Sequence, residues 1–230
     1  MRRYTEIRRE AYEANIQIPG LGLAIYTFGN VSAFDRDLGV FAIKPSGVPY
    51  ADLKPEHMVV VDLDNAVVDG GLRPSSDTNT HSVLYKAFAG VRGITHTHST
   101  HATAWAQACM PIPVFGTTHA DHLALEVPCT EVMSDAQIKG NYETETGHQI
   151  LAAFADISPA EVEMVLVACH GPFTWGVSAE KSLYNSAVLE EIARMALLTR
   201  QVDPQAGPLK PSLIDKHYRR KHGKDAYYGQ

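Results

Sequence analysis

The chain has 230 residues, 45% of them hydrophobic and 20% charged, with a formal net charge of −6. That balance suits a soluble globular protein of one domain with a substantial core. It excludes the clustered positive charge that a nucleic-acid or anionic-membrane surface needs. No apolar run approaches the ~20 residues of a membrane span, and the polar start Met1-Arg2-Arg3-Tyr4-Thr5-Glu6 cannot open a secretory signal. Three cysteines without C-x-x-C spacing fit free, mostly buried thiols in a reducing cytoplasm.

Residues 3–17 read as a helix with Ile7, Ala11 and Ala14 on one face, ended by Pro19-Gly20. Residues 23–27 and 40–43 read as strands, with 35–39 as the turn between them. Residues 58–61 and 66–68 are further short strands around a turn at 62–65. A helix is expected from about Thr78 to Ala89, capped by Ser76 or Asp77. Residues 93–98 read as a strand, and 99–108 as a helix capped by Ser99. Residues 134–155 are expected to be helical, 162–169 a strand, and 179–201 a long helix ending before Pro204. The pattern predicts an α/β or α+β three-layer sandwich, with a mixed, largely antiparallel sheet flanked by helices. Neither G-x-G-x-x-G nor G-x-x-x-x-G-K-[ST] occurs, which disfavours nucleotide binding.

Six of the eleven histidines fall between His81 and His122. In His96-Thr97-His98, residues two apart on a strand share a face, so both imidazoles can meet one ion. On a helix they would splay apart. His170 ends an apolar strand before Gly171-Pro172, where it is either a functional residue or a satisfied core histidine. Asp77 opens a helix, as an N-cap, a ligand or both. Three neutral imidazoles with zero or one carboxylate suit Zn²⁺, with Mn²⁺ or Co²⁺ as substitutes. Cys169 should face away from His170 as packing, and His101 should lie on the following helix as a supporting or core residue. A basic run, Lys216 to Lys224, fits a phosphorylated neighbour or a solvated end.

Seven motifs occur in order: Phe28-Gly29-Asn30-Val31-Ser32, Ile43-Lys44-Pro45-Ser46-Gly47, Pro74-Ser75-Ser76-Asp77-Thr78, His96-Thr97-His98-Ser99, Gly116-Thr117-Thr118-His119-Ala120-Asp121, His170-Gly171-Pro172-Phe173, and Lys221-His222-Gly223 with Tyr227-Tyr228-Gly229-Gln230. Together they resemble the L-ribulose-5-phosphate 4-epimerases of the class II aldolase superfamily, from about residue 10 to the final residue. The resemblance implies one domain over residues 1–230, whose C-terminal tail contributes to the active site. It implies a zinc site of Asp77, His96, His98 and His170, and a phosphate site of Gly29, Asn30, Lys44, Ser46, Gly47, Ser75 and Ser76. It implies Asp121 and Tyr228 as the acid/base pair, with Thr117, Glu143 and His217 lining the pocket. It further implies a cytoplasmic, C4-symmetric homotetramer with active sites between subunits, acting on a phosphorylated ketopentose.

Read locally, Lys44-Pro45-Ser46-Gly47 is a turn after a strand and Tyr228 a chain end; only the resemblance gives them roles. The chain departs from the family by carrying His122 where Tyr is common, which could perturb proton chemistry or merely pack differently. Two other functions compete. Class II aldolases that release their aldehyde share most of the site but carry Glu where Asp77 stands. Aldolase-like cytoskeletal scaffolds lose the metal histidines, and all three are present here.

Overall fold

The computed structural model describes residues 3–222 and 226–227. The first helix, α1 (Thr5–Asn15), buries Ile7, Ala11 and Ala14, the stripe that its apolar spacing predicts. Seven strands follow: β1 (Asn30–Asp35), β2 (Val40–Ile43), β3 (Val59–Asp62), β4 (Val67–Asp69), β5 (Gly93–His96), β6 (Met164–Val167) and β7 (Gly171–Gly176). They form one sheet in the order β4-β3-β2-β1-β5-β7-β6, and every paired neighbour is antiparallel.

Both faces of the sheet are covered, and the pleat sorts the side chains by period two. Phe34, Phe41, Ile43, Val59, Val61 and Ile94 join one cluster with residues of helices α2 (Thr78–Ala87), α3 (Thr100–Gln107) and α6 (Tyr142–Ala153). Val31, Ala33, Val40, Ala42 and Val60 join the other, with α1. The long helix α7 (Ala179–Val202) gives Leu189 and Ile192 to the first cluster and Ala179 and Leu183 to the second. Short helices α4 (Thr117–Ala120) and α5 (Asp135–Lys139) and the terminal α8 (Pro211–Lys221) complete the chain. Among the described residues no helix is long and apolar enough to cross a membrane.

Several local expectations are corrected. Residues 23–27 are not a strand; Gly22 and Tyr26 take left-handed φ of 68° and 52°, which breaks extended structure. The strand expected over 93–98 stops at His96, and the helix over 134–155 is broken into α5 and α6 at Gly140-Asn141. There the Asn141 side chain accepts from the Thr144 amide and caps α6 afresh. The strands β1 and β7 were not expected. Both are almost wholly buried, so neither shows the polar/apolar alternation of a half-exposed strand.

Gly93 permits the close seating of α7 on β5. A β-carbon there would meet the Ser178 carbonyl oxygen at 2.2 Å and the Ala179 nitrogen at 2.4 Å, backbone atoms that cannot swing away. Gly93→Ala is expected to cost about 3 kcal/mol, at the upper end of overpacking effects. The exposed Gly71→Ala, with nothing within 4 Å, should stay within about 0.5 kcal/mol. Urea midpoints at constant m-value measure both.

Candidate metal centre and substrate cleft

The cross-strand register sets Asn30 of β1, His96 of β5 and Phe173 of β7 side by side. His96 stacks on Phe173 with centroids 4.2 Å apart, and its Nδ1 lies 2.9 Å from the Pro172 carbonyl. A carbonyl only accepts, so Nδ1 carries the proton and Nε2 is left with its lone pair. That Nε2 faces His98 Nε2 at 3.2 Å. His98 lies just past the strand end, yet its ring still meets that of His96. His170 sits in the β6–β7 turn, with its ring centroid 4.8 Å from that of His96 and 5.1 Å from that of His98. One nitrogen from each of the three lies within 4.8 Å of the others, an arrangement able to hold a metal ion.

Asp77 stands at the N-cap position of α2 without capping it. Its carboxylate instead accepts from Asn30 Nδ2 at 2.7 Å, and that amide also reaches Ser75 Oγ at 3.2 Å. Burial works to raise the Asp77 pKa, but His96, His81 and the Asn30 hydrogen bond together hold it below the usual carboxylate range. Beneath the site, His81 Nδ1 is 2.7 Å from Ser32 Oγ, which is 2.7 Å from Tyr85 Oη, so a buried polar column ties α2 to β1.

A cleft of about 440 Å³ opens above these groups. It is lined by His96, His98, His170 and Asp77, by Gly29, Asn30, Lys44, Ser46, Gly47, Ser75 and Ser76, and by Glu143. Lys44 is only 2% exposed. Its Nζ donates to the Thr27 carbonyl at 3.3 Å and lies 4.8 Å from the Tyr50 ring. Burial pulls its pKa down to about 8. Gly29 is required by its φ of 75° and because a β-carbon would come within 2.9 Å of the His96 carbonyl oxygen. Asn30 Oδ1 is buried without a hydrogen-bond partner among the described residues.

Asp121 and His217 gather elsewhere, in the contact between α4 and α8. Arg220 clamps the Asp121 carboxylate with Nε at 2.9 Å and Nη2 at 2.6 Å, His217 Nδ1 is 3.0 Å away, and Lys221 Nζ 3.9 Å. Burial opposes ionisation of Asp121, but Arg220 and His217 outweigh it and hold the carboxyl below its ordinary range. Neither residue, nor Thr117 at the start of α4, lines the histidine cleft. Tyr228 lies outside the described residues. His122 packs toward Tyr184 at 6.0 Å, with its pKa lowered to about 4 mainly by burial.

Sequence reasoning missed Tyr142, whose hydroxyl is 3.3 Å from His170 Nδ1 and which lines the cleft. Its place beside Glu143 at the start of a capped helix was the available signal. Arg220 was seen only as part of a charge run. His101 lies on α3 as expected but pairs with Glu190 at 2.7 Å rather than with the cleft. The cysteines correct the expectation of buried thiols: Cys169 is exposed and Cys109 and Cys129 are half-buried. Cys169 has a left-handed φ of 61°, so strand alternation does not apply to it.

The sequence profile of the Class II Aldolase and Adducin N-terminal domain matches residues 9–197. Among curated proteins, the L-ribulose-5-phosphate 4-epimerase UlaF of Salmonella paratyphi C (strain RKS4594) is 47% identical over 225 residues, 98% of this chain and 99% of its own length. The protein of the same name from Salmonella typhi is equally similar. Among solved structures, an L-fuculose 1-phosphate aldolase superposes with a TM-score of 0.81 at 24% identity, covering 94% of this chain and 95% of that one. YgbL of Klebsiella pneumoniae, titled a putative aldolase/epimerase/decarboxylase, gives 0.70 at 24% identity, covering 92% and 97%. At such identities the structural likeness establishes the fold.

Burial lowers the pKa of His81 to about 3 and those of His119 and His170 to about 4. In the unfolded chain each returns to about 6.5. Between these values the unfolded state binds more protons, so the stability these groups confer is full above pH 6.5 and is lost as pH falls. The thermal midpoint of metal-free protein is therefore expected to drop steadily from pH 7 to pH 5. Scanning calorimetry at those values checks this; a flat profile would contradict the neutral-imidazole assignment.

Proposed function

The chain belongs to the Class II Aldolase and Adducin N-terminal domain family, and from that premise we propose that it is a metal-dependent epimerase converting L-ribulose 5-phosphate to D-xylulose 5-phosphate. The observation that carries the reading is the make-up of the histidine cleft. Three imidazoles converge at one part of it, and a buried lysine, three serines and glycine-containing turns line the rest. The relatives named as L-ribulose-5-phosphate 4-epimerases, 47% identical over 98% of the chain, support the substrate.

The C4 proton of a 2-ketopentose is not alpha to the carbonyl, so enolisation cannot invert C4. The C4 hydroxyl is beta to the carbonyl, which makes retro-aldol cleavage of C3–C4 available. Cleavage gives the enediolate of dihydroxyacetone and glycolaldehyde phosphate; turning the aldehyde before the bond re-forms inverts C4. His96, His98 and His170, with Asp77, would hold the divalent ion. The Nδ1–H bond of His96 to Pro172 and the Nε2 atoms of His96 and His98 turned toward each other fit that role. Zn²⁺ is the ion we favour, with Mn²⁺ or Co²⁺ as substitutes. Bound there, it supplies Lewis-acid stabilisation of developing oxyanion charge.

Lys44, the Ser75 and Ser76 hydroxyls and the turns at Gly29-Asn30 and Ser46-Gly47 would grip the phosphate and keep the aldehyde from escaping. Asp121 and Tyr228 would move protons on the two aldehyde faces. Because Asp121 stands apart from the cleft of its own chain, we infer that a neighbouring copy supplies it in a homotetramer, together with Thr117, His217 and the C-terminal tail. We take residues 1–230 as a single domain, working in the cytoplasm.

Purified protein given L-ribulose 5-phosphate and zinc should form D-xylulose 5-phosphate without free glycolaldehyde phosphate; accumulating aldehyde would point to an aldolase instead. Asp77→Asn and His96→Asn should lose both metal and turnover, measured by elemental analysis and assay. Tyr228→Phe should retain metal while kcat falls about 10²-fold, the usual worth of a proton-transfer group. Normal turnover in that variant would remove the tyrosine from the mechanism.

The lysine gives a separate pH signature. Free Lys44 loses its proton above about pH 8, and a phosphate dianion binds the ammonium form. KM should therefore rise above that pH, approaching about tenfold per unit. Lys44→Arg stays charged throughout and should flatten the rise even if its KM is higher overall.

A further inference from the structure

Beside the cleft the fold brings together two cysteines that lie 60 residues apart in sequence. Cys109 Sγ and Cys169 Sγ are 3.4 Å from each other. Their backbones are held by one acceptor: the Cys109 and Cys169 amides both donate to the Ala106 carbonyl, at 3.0 and 2.8 Å. Both residues have left-handed φ, 53° and 61°, a conformation that non-glycine residues keep only where their surroundings impose it. Cys169 is exposed and Cys109 half-buried, so small solutes reach the pair. The thiols of both Cys129 and Cys169 are raised, Cys129 to about 11 chiefly by burial and Cys169 chiefly by its hydrogen bond with Cys109, so the sulfur contact and not acidity singles out the pair.

We propose that Cys109 and Cys169 form an oxidation site that closes a reversible disulfide on exposure to a hydroperoxide. The Cys169 sulfur attacks one peroxide oxygen, the O–O bond breaks, and the departing hydroxide takes the thiol proton as water, leaving a sulfenic acid. The Cys109 sulfur then attacks the Cys169 sulfur; hydroxide leaves and takes the second thiol proton as another water. The two thiols together give up two electrons, and the peroxide gains them. The sulfurs need only close from 3.4 Å to the bonded distance of about 2.05 Å.

The position gives the bond a consequence. Cys169 immediately precedes His170, and Cys109 follows α3, the helix that begins two residues after His98. A cross-link would tie the supports of two of the three imidazoles to each other. It would also close a loop across the chain that restricts the unfolded state. The proposal rests on sulfur geometry alone and holds whether or not the substrate assignment does.

The test treats the full-length, metal-loaded protein with hydrogen peroxide and maps unreduced peptides by mass spectrometry. A peptide pair joining Cys109 to Cys169, lighter by two hydrogens, is expected, together with a thermal midpoint raised by several degrees. Both should revert with dithiothreitol. Cys129→Ser should behave as the parent protein, whereas Cys109→Ser and Cys169→Ala should give no bridge and no shift. Should those two variants fold poorly, the peptide map of the parent protein decides alone. A bridge through Cys129, a bridge between chains, sulfinate at Cys169 without a bridge, or a bridge that leaves the midpoint unchanged would each overturn the proposal.

Discussion

The hydrogen bond from His96 Nδ1 to the Pro172 carbonyl fixes more of this molecule than its 2.9 Å length suggests. It crosses from β5 to β7, sets the tautomer of the central imidazole, and turns the Nε2 lone pair out of the sheet toward His98. Phe173, stacked on the ring, removes its remaining freedom. The antiparallel register then does the rest. Asn30 lies opposite His96 on β1, so the amide that organises Asp77 and Ser75 is placed by the same ladder that places the imidazole. The position of His96 is thus inherited from sheet pairing, while His98 and His170 are held by the short connections that follow β5 and β6.

A core lined with polar groups must account for them. Ser32 Oγ joins His81 Nδ1 and the Tyr85 hydroxyl between β1 and α2, whereas His81 Nε2 is buried without a partner among the described residues, which keeps that ring neutral. The cleft itself is different: Lys44 is buried against a carbonyl and an aromatic face rather than a carboxylate. The lowered lysine pKa follows from that burial. Asp121 shows the opposite condition, gripped by Arg220 and His217 and fully ionised within its own chain.

What the sequence could say depended on how each signal is encoded. The apolar stripe of α1 and the valine-rich β3 are local patterns and were read nearly to their ends. The H-x-H pair was read correctly as convergent although the strand stops at His96, because the turn after it keeps His98 within reach. β1 and β7 were hidden because burial on both faces erases alternation, and because Asn30, Ser32 and Gly171-Pro172 read as loop residues. The false strand at residues 23–27 is apolar but lies between a left-handed Gly22 and Tyr26, a tertiary preference that composition does not carry. Tyr142 and Arg220 escaped notice because their partners are 28 and 99 residues away. Only chain topology brings such pairs into contact.

The separation between the cleft and the Asp121 cluster follows from electrostatics as much as from topology. A general base must be ionised, yet a second carboxylate beside Asp77 in one low-dielectric cleft would raise the pKa of one or both. Arg220 holds Asp121 ionised at the contact of α4 and α8, apart from the histidine cleft. In the proposed reaction the two groups would then meet only when a neighbouring chain presents its α4–α8 corner to the cleft. The acid/base residue would arrive already ionised and already oriented, and an isolated chain would hold the substrate grip without the proton transfer. Assembly would thus determine turnover while the histidine cluster of a single chain would determine metal binding, which would make the two properties separable in this fold.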